Sequence, residues 1–215
     1  VADRTRPDLS DDRDGPLASS LTALAKAEAA CTRCPLYQHA TQVVPGEGPR
    51  RALILFVGEQ PGDREDQAGR PFVGPAGKLF DRALQDAGIE RAETFVTNAV
   101  KHFKSQMRGK RRLHSKPNVY EIERCNWWLE QERGLVQPRL IVALGATAAR
   151  ALTGRTIKIS SVRGQLQRLP DETALVITVH PSSLLRVADA QARASAYEAF
   201  VKDLAKAQRL CAETR

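Results

Sequence analysis

Glu59-Gln60, Asn98 and His180 each follow or close a short apolar run, so a carboxylate, two amides and an imidazole fall where the chain turns. A carboxylate can activate a nucleophile, an amide carries both donors and an acceptor for reading a ligand, and an imidazole can stabilise a developing anion. Cys31-Thr32-Arg33-Cys34 supplies two thiolates from one tight turn, and Cys125 adds a third soft ligand. A metal site needs a fourth, for which Cys211 is a candidate. Ligand type alone favours zinc, and reduced thiols without metal are the plain alternative. Seven basic residues (Lys101, Lys104, Arg108, Lys110, Arg111, Arg112, Lys116) and no acidic one lie between Lys101 and Lys116, around His114. Such a block suits phosphate contact or a solvated loop.

The elements that must position these groups follow from periodicity. Four apolar runs, Ala52–Val57, Thr94–Thr97, Leu140–Leu144 and Leu175–Val179, read as strands buried on both faces. Helices are expected over Leu17–Ala30, Gly77–Ala87, Asn118–Glu132, Ala146–Leu152 and Ala190–Arg209. Strands alternating with helices predict an α/β fold: three α/β/α layers around a central, mainly parallel four-stranded sheet. Ligands of such sheets bind beyond the carboxyl ends of the strands, where Glu59, Asn98 and His180 stand.

The chain has 215 residues and a formal net charge of +8, from 33 Lys+Arg and 25 Asp+Glu. That balance favours a polyanionic partner. No apolar run approaches the roughly 20 residues that span a bilayer, and the charged start is unlike a secretion signal, so a cytoplasmic protein is expected. Residues 1–16 read as a mobile leader, 17–210 as a single domain and 211–215 as a tail that includes Cys211. Gly74-Pro75-Ala76-Gly77-Lys78 is not a phosphate loop, because Leu79 replaces the magnesium-binding Ser or Thr and the full glycine spacing is absent.

Gly58-Glu59-Gln60-Pro61-Gly62-Asp63 and Gly69-Arg70-Pro71-Phe72-Val73-Gly74-Pro75-Ala76-Gly77 form a glycine- and proline-rich turn system. With Thr97-Asn98-Ala99-Val100-Lys101 and His180-Pro181-Ser182-Ser183-Leu184-Leu185-Arg186, they resemble the iron–sulfur uracil-DNA glycosylases from about Cys31 to Phe200. Lys101-His102-Phe103-Lys104 and Lys110-Arg111-Arg112-Leu113-His114 resemble the UdgX branch, whose members become covalently trapped on the DNA they have cut. The chain departs from that branch at Leu113, where isoleucine is usual, and in a shorter Ser105–Gly109 segment.

The resemblance implies uracil excision from DNA by a monomer, with a [4Fe-4S] cluster held by Cys31, Cys34, His102 and Cys125. It implies that Glu59, His114 and His180 do the chemistry: His114 attacks the anomeric carbon, Glu59 accepts its other ring proton, and His180 stabilises the departing base. Gly58, Gln60, Asp63, Phe72 and Asn98 are implied to hold the base, Phe72 by stacking and Asn98 by matching uracil N3–H and O4. Lys110, Arg111, Arg112, Ser182, Leu184 and Arg186 are implied to contact DNA, with the leucine segment entering the duplex. Two alternatives stay open: a hydrolytic glycosylase in which water held by Glu59 attacks, and a non-catalytic iron–sulfur nucleic-acid-binding module.

Overall fold

The structure, a computed structural model, describes residues 16–109 and 111–213; the expected leader up to residue 15, the basic Lys110 and the last two residues lie outside the described residues. In chain order the elements are α1 (Leu21–Glu28), β1 (Ile54–Gly58), α2 (Asp63–Ala68), α3 (Pro75–Asp86), β2 (Phe95–Asn98), β3 (Ser105–Arg108), β4 (Arg111–His114) and α4 (Val119–Val136). There follow β5 (Leu140–Leu144), α5 (Ala146–Thr153), α6 (Ile159–Val162), β6 (Leu166–Arg168), β7 (Ala174–Thr178), α7 (Pro181–Leu185) and α8 (Ala190–Glu213).

The fold is α/β with a mainly parallel central sheet of order β2-β1-β5-β7-β6. All five residues of β1, of β5 and of β7 are buried. Because side chains alternate across a strand, their residues divide between two apolar clusters. Leu55, Val57, Ile141, Ala143, Leu175 and Ile177 pack with Leu24 of α1, Leu129 of α4 and Ala148 of α5. Ile54, Phe56, Leu140, Val142, Ala174 and Val176 pack with Phe80 and Leu84 of α3 and with Phe200 and Leu204 of α8. The result is three layers with helices on both faces.

The sheet has five strands rather than the expected four. β6 pairs antiparallel with β7 at one edge, and its three residues carry no buried apolar pattern that the sequence could have revealed. A separate antiparallel hairpin, β3 with β4, also escaped the periodicity because its residues are mostly exposed. The last helix runs through Glu213, so Cys211 lies within α8, is 4 % exposed, and is not part of a tail. No helix among the described residues is long and apolar enough to cross a membrane.

Local chemistry explains the element ends. Asn118 and Glu121 form a reciprocal capping box at the start of α4. Pro75 occupies the first turn of α3, where its missing N–H is no loss. All three strands are parallel, but the strand order reverses at β1, with β2 on one side of it and β5 on the other, and such a switch point opens a crevice at the carboxyl ends of β1 and β5.

Candidate functional site

That crevice is a cleft of about 820 Å³. Glu59, Gln60, Asp63, Phe72, Asn98, His114, His180, Ser182 and Arg186, drawn from widely separated segments, all line it. β1 ends at Gly58 and delivers Glu59 and Gln60, β2 ends at Asn98, and β7 leads through Val179 to His180.

Gly58 lies beneath this wall rather than in it. A Cβ at Gly58 would stand 2.4 Å from Asn98 Oδ1 and 2.6 Å from Phe72 Cζ, so glycine is required for the amide and the ring to close on one another. Phe72 has φ +57°, a left-handed conformation costly for an aromatic residue, and its ring sits 5.1 Å from that of Phe80 and 6.0 Å from that of His180. Its carbonyl carbon and oxygen press against Gly77, where an added Cβ would collide with them. The strained backbone therefore holds one aromatic face in a fixed place in the cleft.

Glu59 is the hub of the polar wall. Its Oε1 lies 3.1 Å from His114 Nε2, and its Oε2 accepts a 2.5 Å hydrogen bond from Thr147 Oγ1. Burial alone would raise its pKa, but the hydrogen bonds from His114 and Thr147, together with the charge interactions with His114 and His180, hold it below the usual carboxylate range. Glu59 is therefore an anion at neutral pH.

His180 Nδ1 accepts the backbone N–H of Ser182 at 3.1 Å and lies 2.9 Å from Ser182 Oγ. With Nδ1 an acceptor, the ring proton of the neutral imidazole resides on Nε2. Burial is the main cause that pushes this imidazole down to about 4, with Glu59 opposing and His114 and Arg186 assisting. The group is thus a neutral hydrogen-bond donor at pH 7.

His114 arrives on the β3–β4 hairpin, and two polar devices fix that hairpin to the domain. Arg112 donates to Asp63 Oδ1 at 2.8 Å and to Asp66 Oδ2 at 2.6 Å, and its guanidinium lies over the Phe103 ring. Asp66 is fully buried and also accepts the backbone N–H of Thr41. The Gln60 amide donates to the carbonyls of Lys104 and Ser115 and accepts the N–H of Lys104.

These contacts show what else the expected residues do. Arg112, expected against DNA, is engaged by two carboxylates and ties the hairpin to α2. Gln60 and Asp63, expected on the base, line the cleft and also bond the hairpin. Leu184, expected to enter DNA, is 3 % exposed in the core, whereas its neighbour Leu185 is 46 % exposed and lines the cleft. The basic block is not uniform either: Lys101 is fully buried against Glu132 at 2.6 Å and Lys104 pairs with Glu121 at 2.9 Å, leaving Arg108, Arg111 and Lys116 exposed. Of Arg111-Arg112-Leu113-His114 only Arg112 is turned partly inward, so no alternating pattern distinguishes the adjacent arginines in the sequence.

Away from the cleft, Cys31, Cys34 and Cys125 are buried in one cluster, near enough for each charge to bear on the others, and none forms a disulfide. The backbone N–H of Lys101 reaches Cys125 Sγ at 3.2 Å, and Trp128 Nε1–H reaches Cys31 Sγ at 3.1 Å. Three buried sulfurs with N–H donors directed at two of them fit a thiolate-bound metal centre. His102 is buried beside Lys101 on the loop after β2. Among the described residues, no three His, Cys, Asp or Glu side chains are already gathered around one ion position.

Thr147 was missed. Its signal was architectural: the expected rim groups came from the first, second and fourth strands, and the carboxyl end of the third was passed over although Thr147 stands just beyond it.

The family model described as "Uracil DNA glycosylase superfamily" matches residues 45–205. The type-4 uracil-DNA glycosylase of Pyrobaculum aerophilum is 39 % identical over 163 residues, covering 73 % of this chain and 80 % of that protein. The type-4 enzyme of Thermotoga maritima is 40 % identical over 157 residues, covering 73 % and 78 %. That of Archaeoglobus fulgidus is 31 % identical over 199 residues, covering 89 % and 94 %.

Proposed function

The chain belongs to the uracil DNA glycosylase superfamily, and on that premise we propose that it excises uracil from DNA and captures the resulting sugar on His114. The observation that carries this reading is the convergence of Glu59, His114 and His180 on one cleft that Phe72 and Asn98 also line. That convergence favours an enzyme over a binding module.

Uracil within a stacked duplex is out of reach, so the substrate is single-stranded DNA or a nucleotide rotated out of the helix. The base stacks on Phe72, and Asn98 reads N3–H and O4, a pattern that cytosine reverses. The bond from the anomeric carbon to uracil N1 then breaks, and its electron pair leaves on the base as an anion. His180 Nε2–H donates to O2 of that anion. On the other face, His114 gives one ring N–H to Glu59, and the remaining ring nitrogen offers its lone pair to the anomeric carbon. A new carbon–nitrogen bond forms, and Glu59 neutralises the positive charge on the ring by accepting its proton. An N-alkylated imidazole is a poor leaving group, so the adduct persists.

Cys31, Cys34, Cys125 and His102 would hold a [4Fe-4S] cluster, which supplies structural cross-linking rather than a step of the reaction. It would tie α1 and α4 to the loop after β2, next to the hairpin. We assign the exposed Arg108 and Arg111, together with Ser182, Leu185 and Arg186 at the cleft, to DNA contact by a monomer.

The test is a labelled single-stranded uracil oligonucleotide run on a denaturing gel. The wild type should give a retarded band that survives denaturant, and His114→Ala should lose it. Strand breakage after alkali without the band would instead identify water, held by Glu59, as the nucleophile. Intact uracil after long incubation would exclude a glycosylase.

A further inference from the structure

The turn after β5 contacts both halves of the catalytic cleft. A Cβ added at Gly145, at φ +94°, would stand 3.2 Å from His180 Cβ, and the Gly145 N–H donates to Thr178 O. Two residues on, Thr147 is 3 % exposed in the first turn of α5 and donates its hydroxyl proton to Glu59 Oε2 at 2.5 Å. Glu59 is consequently held between two donors from unrelated elements: Thr147, on a helix packed into the core, and His114, on the hairpin.

Resting on the proposed glycosylase reading, we infer that Thr147 is a positioning residue: its hydroxyl fixes the Glu59 carboxylate so that the second oxygen faces His114. A carboxylate with one partner can turn about its terminal torsion, which is broad and nearly two-fold. A second partner on the far oxygen stops that rotation and leaves Oε1 directed at the hairpin. Of these two partners, Thr147 is the rigid one, being almost fully buried, whereas the His114 side chain is 50 % exposed. The direction of His114 is therefore inherited from α5 through Glu59. Burial opposes the charge on Glu59, and the threonine hydroxyl is one of the two hydrogen bonds that overcome it.

Thr147 touches no reacting atom, so its effect must pass through Glu59. Uracil release from the single-stranded oligonucleotide should fall about 10- to 100-fold in Thr147→Val, the usual scale for a hydrogen bond to a charged group. The acid limb of the pH–rate profile should move up, because Glu59 without this donor is protonated more easily. Thr147→Ser keeps the hydroxyl and should restore both the rate and the limb. In a Glu59→Gln background, Thr147→Val should cost nothing further, since the two residues act as one unit.

Should valine unfold the turn, Thr147→Ala removes the same hydroxyl with less volume, and the same outcomes are required of it. Wild-type rate and acid limb in the hydroxyl-free variant would overturn the inference. So would a full additional loss in the Glu59→Gln background, or failure of serine to rescue. These results are distinct from a wild-type protein that releases no uracil, which would remove the glycosylase reading beneath it.

Discussion

His180 and His114 reach the same cleft from opposite kinds of structure. His180 follows β7, all five of whose residues are buried, and its tautomer is fixed two residues away by Ser182. His114 ends β4 in a two-stranded hairpin whose residues are mostly exposed, and polar contacts through Arg112 and Gln60 join that hairpin to α2 and the loop after β1. Apolar burial is non-directional and distributed over many contacts, whereas a few ion pairs concentrate their effect in single residues. The group that meets the departing base is thus built into the sheet, and the group that meets the sugar is attached to it. The two functions can be broken separately.

The largest effect belongs to the built-in arm. His180→Ala removes the donor to the uracil anion and should slow excision about 100- to 1000-fold, measured as single-turnover uracil release. The fold should remain, because the strand beneath carries the packing. An equal loss of adduct and of free abasic product is expected, since both follow bond breakage. If His180→Ala abolished only the adduct, the division between the two arms would be wrong.

Arg112→Ala attacks the attached arm. It strips the fully buried Asp66 of its cation and frees the hairpin from α2. Leaving Asp66 buried without its cation costs about 2–3 kcal/mol, so adduct yield should fall by up to roughly 30- to 140-fold, by the conversion of 1.4 kcal/mol per factor of ten. Excision supported by His180 and by water at Glu59 should fall much less. The ratio of adduct to alkali-labile product, read on one gel, reports the difference; a ratio equal to wild type would show that Arg112 does not hold His114.

The same contrast explains what the sequence revealed. β5 was read with its observed limits, Leu140–Leu144, and β1, β2 and β7 within two residues at each end, because burial on both faces leaves continuous apolar runs. The hairpin left no such run: it has Arg111, Arg112 and Leu113 where alternation should appear, and only Arg112 turns inward, toward carboxylates contributed by α2. A six-residue helix beginning Asp63-Arg64-Glu65-Asp66 looks like a solvated turn until its partner is known, since the partner is a cation far along the chain. Leu184 and Leu185 were indistinguishable as letters, and one turn of α7 decides which is buried. The site's histidines are legible as types in context; Thr147, the hydroxyl behind Glu59, depends on a contact across 88 positions.

The smallest effect sharpens the comparison through pH. His180 is held neutral by burial, its pKa pushed from the ordinary 6.5 to about 4. The unfolded chain takes up this proton as pH falls below about 6.5, whereas the folded chain resists until about 4, so the unfolded state binds more protons in that window. Stability from this group is fully present above pH 6.5 and is lost progressively as pH falls toward 4. At pH 5 the loss is about 1–2 kcal/mol, from 1.36 kcal/mol for each unit of pKa difference traversed. His180→Phe, which cannot be protonated, should lose correspondingly less stability than wild type between pH 7 and pH 5 in urea unfolding followed by tryptophan fluorescence. Should His180→Phe lose as much stability as wild type between pH 7 and pH 5, acid sensitivity would not originate in the buried arm, and the way His180 is held would have no energetic signature.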